Sequence, residues 1–138
     1  MPKNILVGYD GSDTARRAFH FALELARCAG ARVRVVSVIQ IAEGGPDVAT
    51  LMMSDTSEKR VRELMAELTS IEPDAALLVD LDIVHGSPGD ALLTQVTQNG
   101  IDHIVIGHTD RGALARWLLG SVSTDVLAKA HVPVTVVR

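Results

Sequence analysis

The chain has 138 residues, 47% of them hydrophobic and only 3% aromatic, which favours one domain with an aliphatic core. Its 13 basic and 17 acidic residues give a net charge of −4, which argues against a nucleic-acid surface. Since no apolar run reaches the length of a membrane span, we expect a cytoplasmic protein that contacts neither membrane nor nucleic acid. The single cysteine, Cys28, excludes an internal disulfide and is expected to pack on the first helix.

The first half of the chain alternates between strand-like and helix-like segments. Ile5-Leu6-Val7 predicts a short buried strand, and Ser12-Asp13-Thr14 supplies an N-cap for a helix that ends at Gly30. The second strand is indicated by four valines, namely Val33, Val35, Val36 and Val38. The stretch from Gln40 to Ser54 predicts a loop that is long for a compact domain. A charged amphipathic helix follows from about Asp55 to Ile71.

The second half continues the same alternation. A third strand is predicted over about Ala76 to Val84, and it stops at His85-Gly86. Ser87-Pro88-Gly89-Asp90 then combines an N-cap, a proline at the first helical position and an acid in the first turn, so a third helix begins there and ends at Asn99-Gly100. The remaining predicted elements are a strand Ile104-Val105-Ile106, a helix from about Ser121 to Ala130, and a last strand from Val134 to Val137.

Five strands alternating with four helices predict a doubly wound α/β domain spanning 1–138, with a five-stranded parallel sheet covered by helices on both faces. The expected strand order is 3-2-1-4-5. In this order strands one and four are neighbours where the winding reverses, and ligands bind beyond their carboxyl ends. Strand one leads into Gly8-Tyr9-Asp10-Gly11-Ser12, and strand four ends at Gly107. Both loops are therefore expected to meet at one crevice.

The loop after strand four has the composition of a phosphate-binding loop. Gly107-His108-Thr109-Asp110-Arg111-Gly112 is followed by Gly120-Ser121-Val122-Ser123. Glycines let the backbone approach an anion, and a Gly-Ser step that opens a helix directs unpaired N–H groups toward it. His108 and Arg111 are placed to reach an anion. Asp110, in contrast, adds a carboxylate that repels phosphate.

The opening residues from Ile5 to Ser12, the strand end Val38-Ile39 and the run from Ile106 to Ser123 resemble the universal stress protein family over the whole chain. Members that bind ATP carry a glycine, two residues, a second glycine, nine residues, and then Gly-Ser or Gly-Thr. Gly107 and Gly120-Ser121 have this spacing, but Asp110 occupies the position of the middle glycine. Members that lack the motif are similar to dimers that do not bind nucleotides.

The resemblance implies a ligand, ATP or another adenine nucleotide, with or without Mg²⁺. It implies that Asp10 contacts the ribose or a metal, that Val38 contacts the adenine, and that Gly107 contacts the phosphates or ribose. The phosphate contacts implied in the same way are those of Gly120, Ser121 and Ser123, and the remaining implied binding residues are Ile106, Asp110, Arg111 and Val122. The resemblance also implies a homodimer through the last strand, whose edge offers unpaired backbone groups.

Three functions stay open at this point: a regulatory module that binds a nucleotide weakly, a slow ATPase, and a dimeric interaction protein with a vestigial site and an unidentified protein client. The chain has no Gly-x-x-x-x-Gly-Lys-Ser/Thr loop and no general base beside a nucleophile. We therefore assign no catalytic residue and expect at most slow hydrolysis. The five histidines do not combine with Cys or Glu at metal-ligand spacing, so we expect no structural metal.

Overall fold

A computed structural model describes residues 2–39, 55–108 and 129–138. In chain order, its strands and helices are β1 (Asn4–Gly8), α1 (Asp13–Ala29), β2 (Arg32–Ile39), α2 (Asp55–Ile71), α3 (Ala75–Leu78), β3 (Val79–His85), α4 (Pro88–Gln98), β4 (His103–Gly107) and β5 (Val134–Val137). The predicted loop over residues 40–54 lies outside the described ranges. So does most of the predicted helix from about Ser121 to Ala130.

The five strands form one parallel sheet in the order β3-β2-β1-β4-β5. This confirms the predicted strand order and the doubly wound α/β class. β1 lies at the centre, where Gly8 pairs with Val36 of β2 on one side and with Ile106 of β4 on the other. β3 and β5 form the two edges.

Apolar side chains from alternating strand positions build a core on each face of the sheet. On one face, Val7 and Val33 pack with Phe19 of α1 and Leu68 of α2. On the other face, strand residues pack against α4; this cluster comprises Leu6, Val36, Val38, Leu92, Ile101, Ile104 and Ile106. Strands buried on both faces read as continuous apolar runs, which is the pattern that the sequence showed.

The helix ends follow the predicted capping residues. The Ser12 Oγ accepts a hydrogen bond from the N–H of Ala15 at 3.2 Å. At the other end of α1, Gly30 adopts a left-handed conformation with φ of 67°, which an L side chain adopts only with strain. α4 begins at Pro88 and ends before Asn99 as expected. Among the described residues, none of the helices has the length and apolar character needed to cross a bilayer.

Two expectations were wrong. Residues 76–78 are helical, not extended, because the chain makes one helical turn over Ala75–Leu78 before β3 begins at Val79. The alanines and leucines of this turn are strong helix formers, and the N–H of Leu77 donates to the carbonyl of Asp74 at 3.0 Å. Cys28 lies on the first helix as expected, but its side chain is exposed and does not pack there.

Candidate functional site

The strand order predicts a crevice at the carboxyl ends of β1 and β4. These strands are neighbours in the sheet. α1 packs on one face of the sheet, and α4 packs on the opposite face. The chain that follows β4 lies outside the described residues, so an opening between the connections after β1 and β4 stays a prediction.

Asp10 is held just beyond the end of β1 by a local turn. Its Oδ1 accepts a hydrogen bond from the N–H of Ser12 at 2.9 Å, and the N–H of Tyr9 donates to the Val36 carbonyl at 2.9 Å. The Asp10–Ser12 bond closes the turn, and the Tyr9–Val36 bond attaches the start of the loop to β2. The second carboxylate oxygen, Oδ2, is shielded from water and has no hydrogen-bond partner among the described residues. Buried carboxylate oxygens are usually paired, so Oδ2 is an acceptor whose hydrogen-bonding capacity is unused among the described residues.

The N-terminus of α1 is satisfied by its own side chains. Besides the Ser12 cap, Asp13 places a carboxylate in the first turn, where it complements the helix dipole. The N–H of Ser12 is already bonded to Asp10. Because these groups neutralise the positive end of α1, this helix has little capacity left for a phosphate.

Two apolar side chains are buried near the strand ends on the α4 side of the sheet. Val38 is 8% exposed and Ile106 is 1% exposed, and both belong to the cluster that includes Leu92 of α4. Val38 lies two residues beyond Val36, the partner of Gly8, so β2 extends past the end of β1 here. The ends of β2 and β4 are therefore backed by buried aliphatic core on this side of the sheet.

Gly107 packs directly against α1. A Cβ at this position would lie 2.6 Å from the backbone carbon of Thr14, 2.7 Å from its carbonyl oxygen, and 2.8 Å from the N of Ala15. Real Cβ atoms do not approach backbone so closely. The structure therefore gives Gly107 a packing role that the sequence did not predict, in addition to the ligand contact implied by resemblance.

The structure brings four of the predicted site residues together, namely Asp10, Val38, Ile106 and Gly107, at the ends of the three central strands. Six others, Asp110, Arg111, Gly120, Ser121, Val122 and Ser123, lie outside the described residues, so their placement stays a prediction. His108 directly follows β4, and its backbone N–H donates to the carbonyl of Val137 at 2.7 Å. This bond extends the β4–β5 ladder to the start of the glycine-rich loop.

Tyr9 is a supporting residue that sequence reasoning missed. Its side chain is 1% exposed and meets the Phe19 ring edge-on, with ring centroids 6.3 Å apart. Burial raises the pKa of the Tyr9 hydroxyl, and the nearby Arg16 guanidinium acts in the opposite direction. Because Tyr9 immediately precedes Asp10, its packing fixes the start of the loop. The sequence signal for Tyr9 was its position as an aromatic residue between an apolar strand and an acidic residue.

A second feature lies between α2 and the ends of β2 and β3, where an open cavity has a volume of about 620 Å³. Its lining is Ser37, Ile39, Arg60, Glu63, Leu64, Glu67 and Ile83. Asp10, Val38 and Gly107 do not contribute to it. Within residues 2–39, 55–108 and 129–138, no group of three or more His, Cys, Asp or Glu side chains is arranged to hold a metal ion.

Comparison with known proteins gives a consistent result over the full length. The sequence model of the Universal stress protein family matches residues 1–138. A universal stress protein from Thermus aquaticus is 36% identical over 143 residues, which cover 100% of both chains. The structure of universal stress protein UspA from Lactobacillus plantarum is similar with a TM-score of 0.79 and 26% identity, covering 99% of this chain and 97% of that one.

A nucleotide complex is among the similar structures. The universal stress protein from Archaeoglobus fulgidus in complex with dAMP has 27% identity and a TM-score of 0.68. The alignment covers 99% of this chain and 98% of that chain. The similarity therefore spans the sheet and the segments that follow β1 and β4.

Proposed function

Because this chain belongs to the universal stress protein family, we propose that it is a stress-response regulatory protein, a single domain over 1–138 that binds an adenine nucleotide weakly between β1 and β4. In this proposal the nucleotide changes the contacts that the protein makes with partners, without rapid turnover. The proposal rests on the crevice at the strand ends and on the chemistry of the residues around it.

The observation that carries the proposal is the unpaired Oδ2 of Asp10. The ribose of a nucleotide presents hydroxyl donors, and a hydrogen bond to an ionised acceptor stabilises a complex by about 1.5–3 kcal/mol. The other oxygen, Oδ1, is already bonded to the N–H of Ser12, so the carboxylate is held in place before the ligand arrives. A preorganised acceptor loses little entropy on binding.

The base is assigned to the apolar side of the crevice. Val38 and Ile106 are aliphatic residues near the ends of β2 and β4, and both belong to the core cluster on the α4 side. Such a combination of apolar lining and a few fixed polar groups is typical of small-molecule sites. The dAMP complex of the Archaeoglobus fulgidus relative, 27% identical to this chain, supports adenine as the base.

The phosphates are assigned to the glycine-rich loop and the helix start that follows it. Gly120, Ser121, Val122 and Ser123 would present backbone N–H groups, and Arg111 adds a positive charge. Asp110 opposes them. Two unit charges about 4 Å apart repel by roughly 1 kcal/mol in water and about 4 kcal/mol at an intermediate effective dielectric. AMP or ADP should therefore bind more tightly than ATP.

A bound Mg²⁺ would relieve this repulsion. Mg²⁺ usually binds to one or two carboxylates together with substrate phosphates and water. Asp10 offers one carboxylate oxygen without a protein partner, and Asp110 is the nearest further acid in the motif. In this proposal the two carboxylates would supply oxygen ligands to a Mg²⁺–nucleotide complex, and no separate metal site is needed.

Calorimetric titration with AMP, ADP and ATP tests the proposal. Asp10→Asn keeps the oxygen that bonds Ser12 but removes the charged acceptor, so affinity should fall by about tenfold to a hundredfold. Asp13→Asn is the matched control, since it removes an equal charge from the exposed first turn of α1. Charge repulsion alone predicts that both variants bind the anionic nucleotide better. An Asp10→Asn variant that binds AMP as tightly as the wild type contradicts the proposed contact.

A second candidate, a dimeric interaction protein with a vestigial site and a protein client, is favoured by Asp110. The candidate dimer surface is the edge strand β5. The carbonyls of Pro133 and Val137 accept hydrogen bonds from the β4 side of the strand. Backbone groups of successive residues point to opposite sides of a strand, so the N–H of Val136 faces the open edge. Val136 is also 38% exposed. We infer that two such edges pair around a two-fold axis, whichever function is correct.

A further inference from the structure

A row of charged pairs joins α1 to α2 and to the turn that follows it. Arg16 of α1 pairs with Glu67 of α2 at 3.1 Å. Further along α1, His20 and Arg27 both contact Glu72, the residue just after α2. Arg27 also donates from its Nε to Asp74 at 2.9 Å. We call this row the α1–α2 seam.

Both ring nitrogens of His20 face carboxylate oxygens. Nδ1 contacts Oε1 of Glu72, and Nε2 lies 2.9 Å from Oε1 of Glu24, one turn later on α1. Ionised carboxylates only accept hydrogen bonds, and a neutral imidazole has only one N–H to donate. Both contacts can therefore be hydrogen bonds only when the ring is a doubly protonated cation.

The charge of His20 affects stability because its partner Glu72 is a nearly buried carboxylate. Its side chain is only 10% exposed, and its Oε2 accepts from Arg27 at 2.9 Å. Burial opposes ionisation of Glu72, but hydrogen bonds from His20 and Arg27 outweigh burial and hold its pKa below the usual range. A buried carboxylate that loses one of its partners is destabilised.

We propose that His20 is a pH-sensitive latch that fastens α1 to Glu72 when its ring is charged and loosens the α1–α2 seam when the ring is neutral. The groups that face the latch are Glu24 on its own helix, Glu72 after α2, and the Arg27–Asp74 pair beyond it. The Arg16–Glu67 pair lies one turn earlier. Since these arginine pairs persist at neutral pH, release of the latch loosens the seam without unfolding the chain.

The direction of the pH dependence follows from the pairing. The hydrogen bond with Glu72 raises the pKa of His20, and the Glu24 carboxylate acts in the same direction. A pKa that is higher in the folded than in the unfolded chain gives stability that is fully present below the unfolded value, about 6.5. That contribution disappears as the pH rises through the folded value. The contact between His20 and Glu72 is thus formed in mild acid and lost in mild alkali.

The first test is an NMR titration of the His20 ring from pH 5 to pH 9 in the wild-type protein and in Glu72→Gln. We expect the wild-type His20 midpoint to lie above that of the urea-unfolded chain, and Glu72→Gln to lower it. A midpoint at or below the unfolded value, or one that Glu72→Gln leaves unchanged, overturns the proposal. No nucleotide is needed, so the result is independent of the proposed function.

The second test measures urea midpoints across the same pH range for the wild type, His20→Gln and Arg17→Gln. His20→Gln should lower the midpoint at pH 5.5 and have progressively less effect toward pH 9. Arg17→Gln is the control because it removes an exposed positive charge of α1 that stays ionised throughout. Its effect should not change with pH. A His20→Gln effect that is equally constant would show that the ring has a structural role only.

Discussion

Replacement of Gly107 by alanine tests why this residue is a glycine. The reason is either that β4 packs closely on α1 or that a ligand must approach the backbone. The added Cβ would lie 2.6 Å from the backbone carbon of Thr14 and 2.8 Å from the N of Ala15. Favourable carbon contacts lie at about 3.5–4.0 Å, so either α1 or β4 must shift by nearly 1 Å. Overpacking of this kind typically costs about 1–3 kcal/mol of unfolding free energy.

The two roles predict opposite signs in the absence of nucleotide. If Gly107 were glycine only to let a ligand approach, alanine would stabilise the free protein by about 0.4–1 kcal/mol, because it lowers the conformational entropy of the unfolded chain. The packing role predicts instead that the urea midpoint falls by about 0.5–1.5 M for a slope of about 2 kcal/mol per M.

Urea denaturation of the nucleotide-free protein, followed by circular dichroism, measures this difference. Thr14→Ala serves as the control, because the clash is with the backbone of Thr14 and removal of its side chain cannot relieve it. The double variant should therefore be no more stable than Gly107→Ala. If Gly107→Ala is as stable as the wild type or more so, the close approach of β4 to α1 does not constrain this position and the packing argument is wrong.

Three further predictions concern the helix cap, the glycine-rich loop and the sheet edge. Ser12→Ala removes the acceptor of the Ala15 N–H and should lower the unfolding free energy by about 0.5–2 kcal/mol; an unchanged urea midpoint would show that the cap contributes nothing. Asp110→Asn should raise ATP affinity in calorimetric titrations if charge limits binding. A higher ATP affinity only in Asp110→Gly would show that backbone freedom matters more. An unchanged ATP affinity in both variants would favour the vestigial site. Val136→Pro removes a backbone donor at the open edge of β5 and should shift light-scattering mass from dimer to monomer; a wild type that is already monomeric at micromolar concentration rejects that interface.

The sheet could be predicted from the sequence because each of its signals is local. Apolar runs such as Ile5-Leu6-Val7 marked the strands, and capping residues such as Ser12 and Gly30 marked the helix ends. Right-handed crossovers then left few possible strand orders. The helical turn over Ala75–Leu78 was missed because a short apolar stretch beside a strand has the same composition in either conformation.

The site could be predicted only in part because several of its contacts join distant residues. Asp10 was found from its position after a strand, but its unpaired Oδ2 depends on the three-dimensional surroundings. The contact of Gly107 with Thr14 and the contact of His20 with Glu72 also join separate elements. Cys28 was placed correctly on the first helix, but its packing was predicted wrongly because the composition does not show that its side chain is exposed on α1.

The most direct test of adenine nucleotide binding between β1 and β4 is an amide NMR titration of the wild-type protein with AMP. The account predicts saturable shifts at the strand ends, including the amides of Asp10, Ser12, Val38 and Gly107. It also predicts that Asp10→Asn shifts saturation to higher AMP concentration. The absence of saturable shifts would contradict the account. So would shifts confined to the separate cavity lined by Ser37 and Glu63.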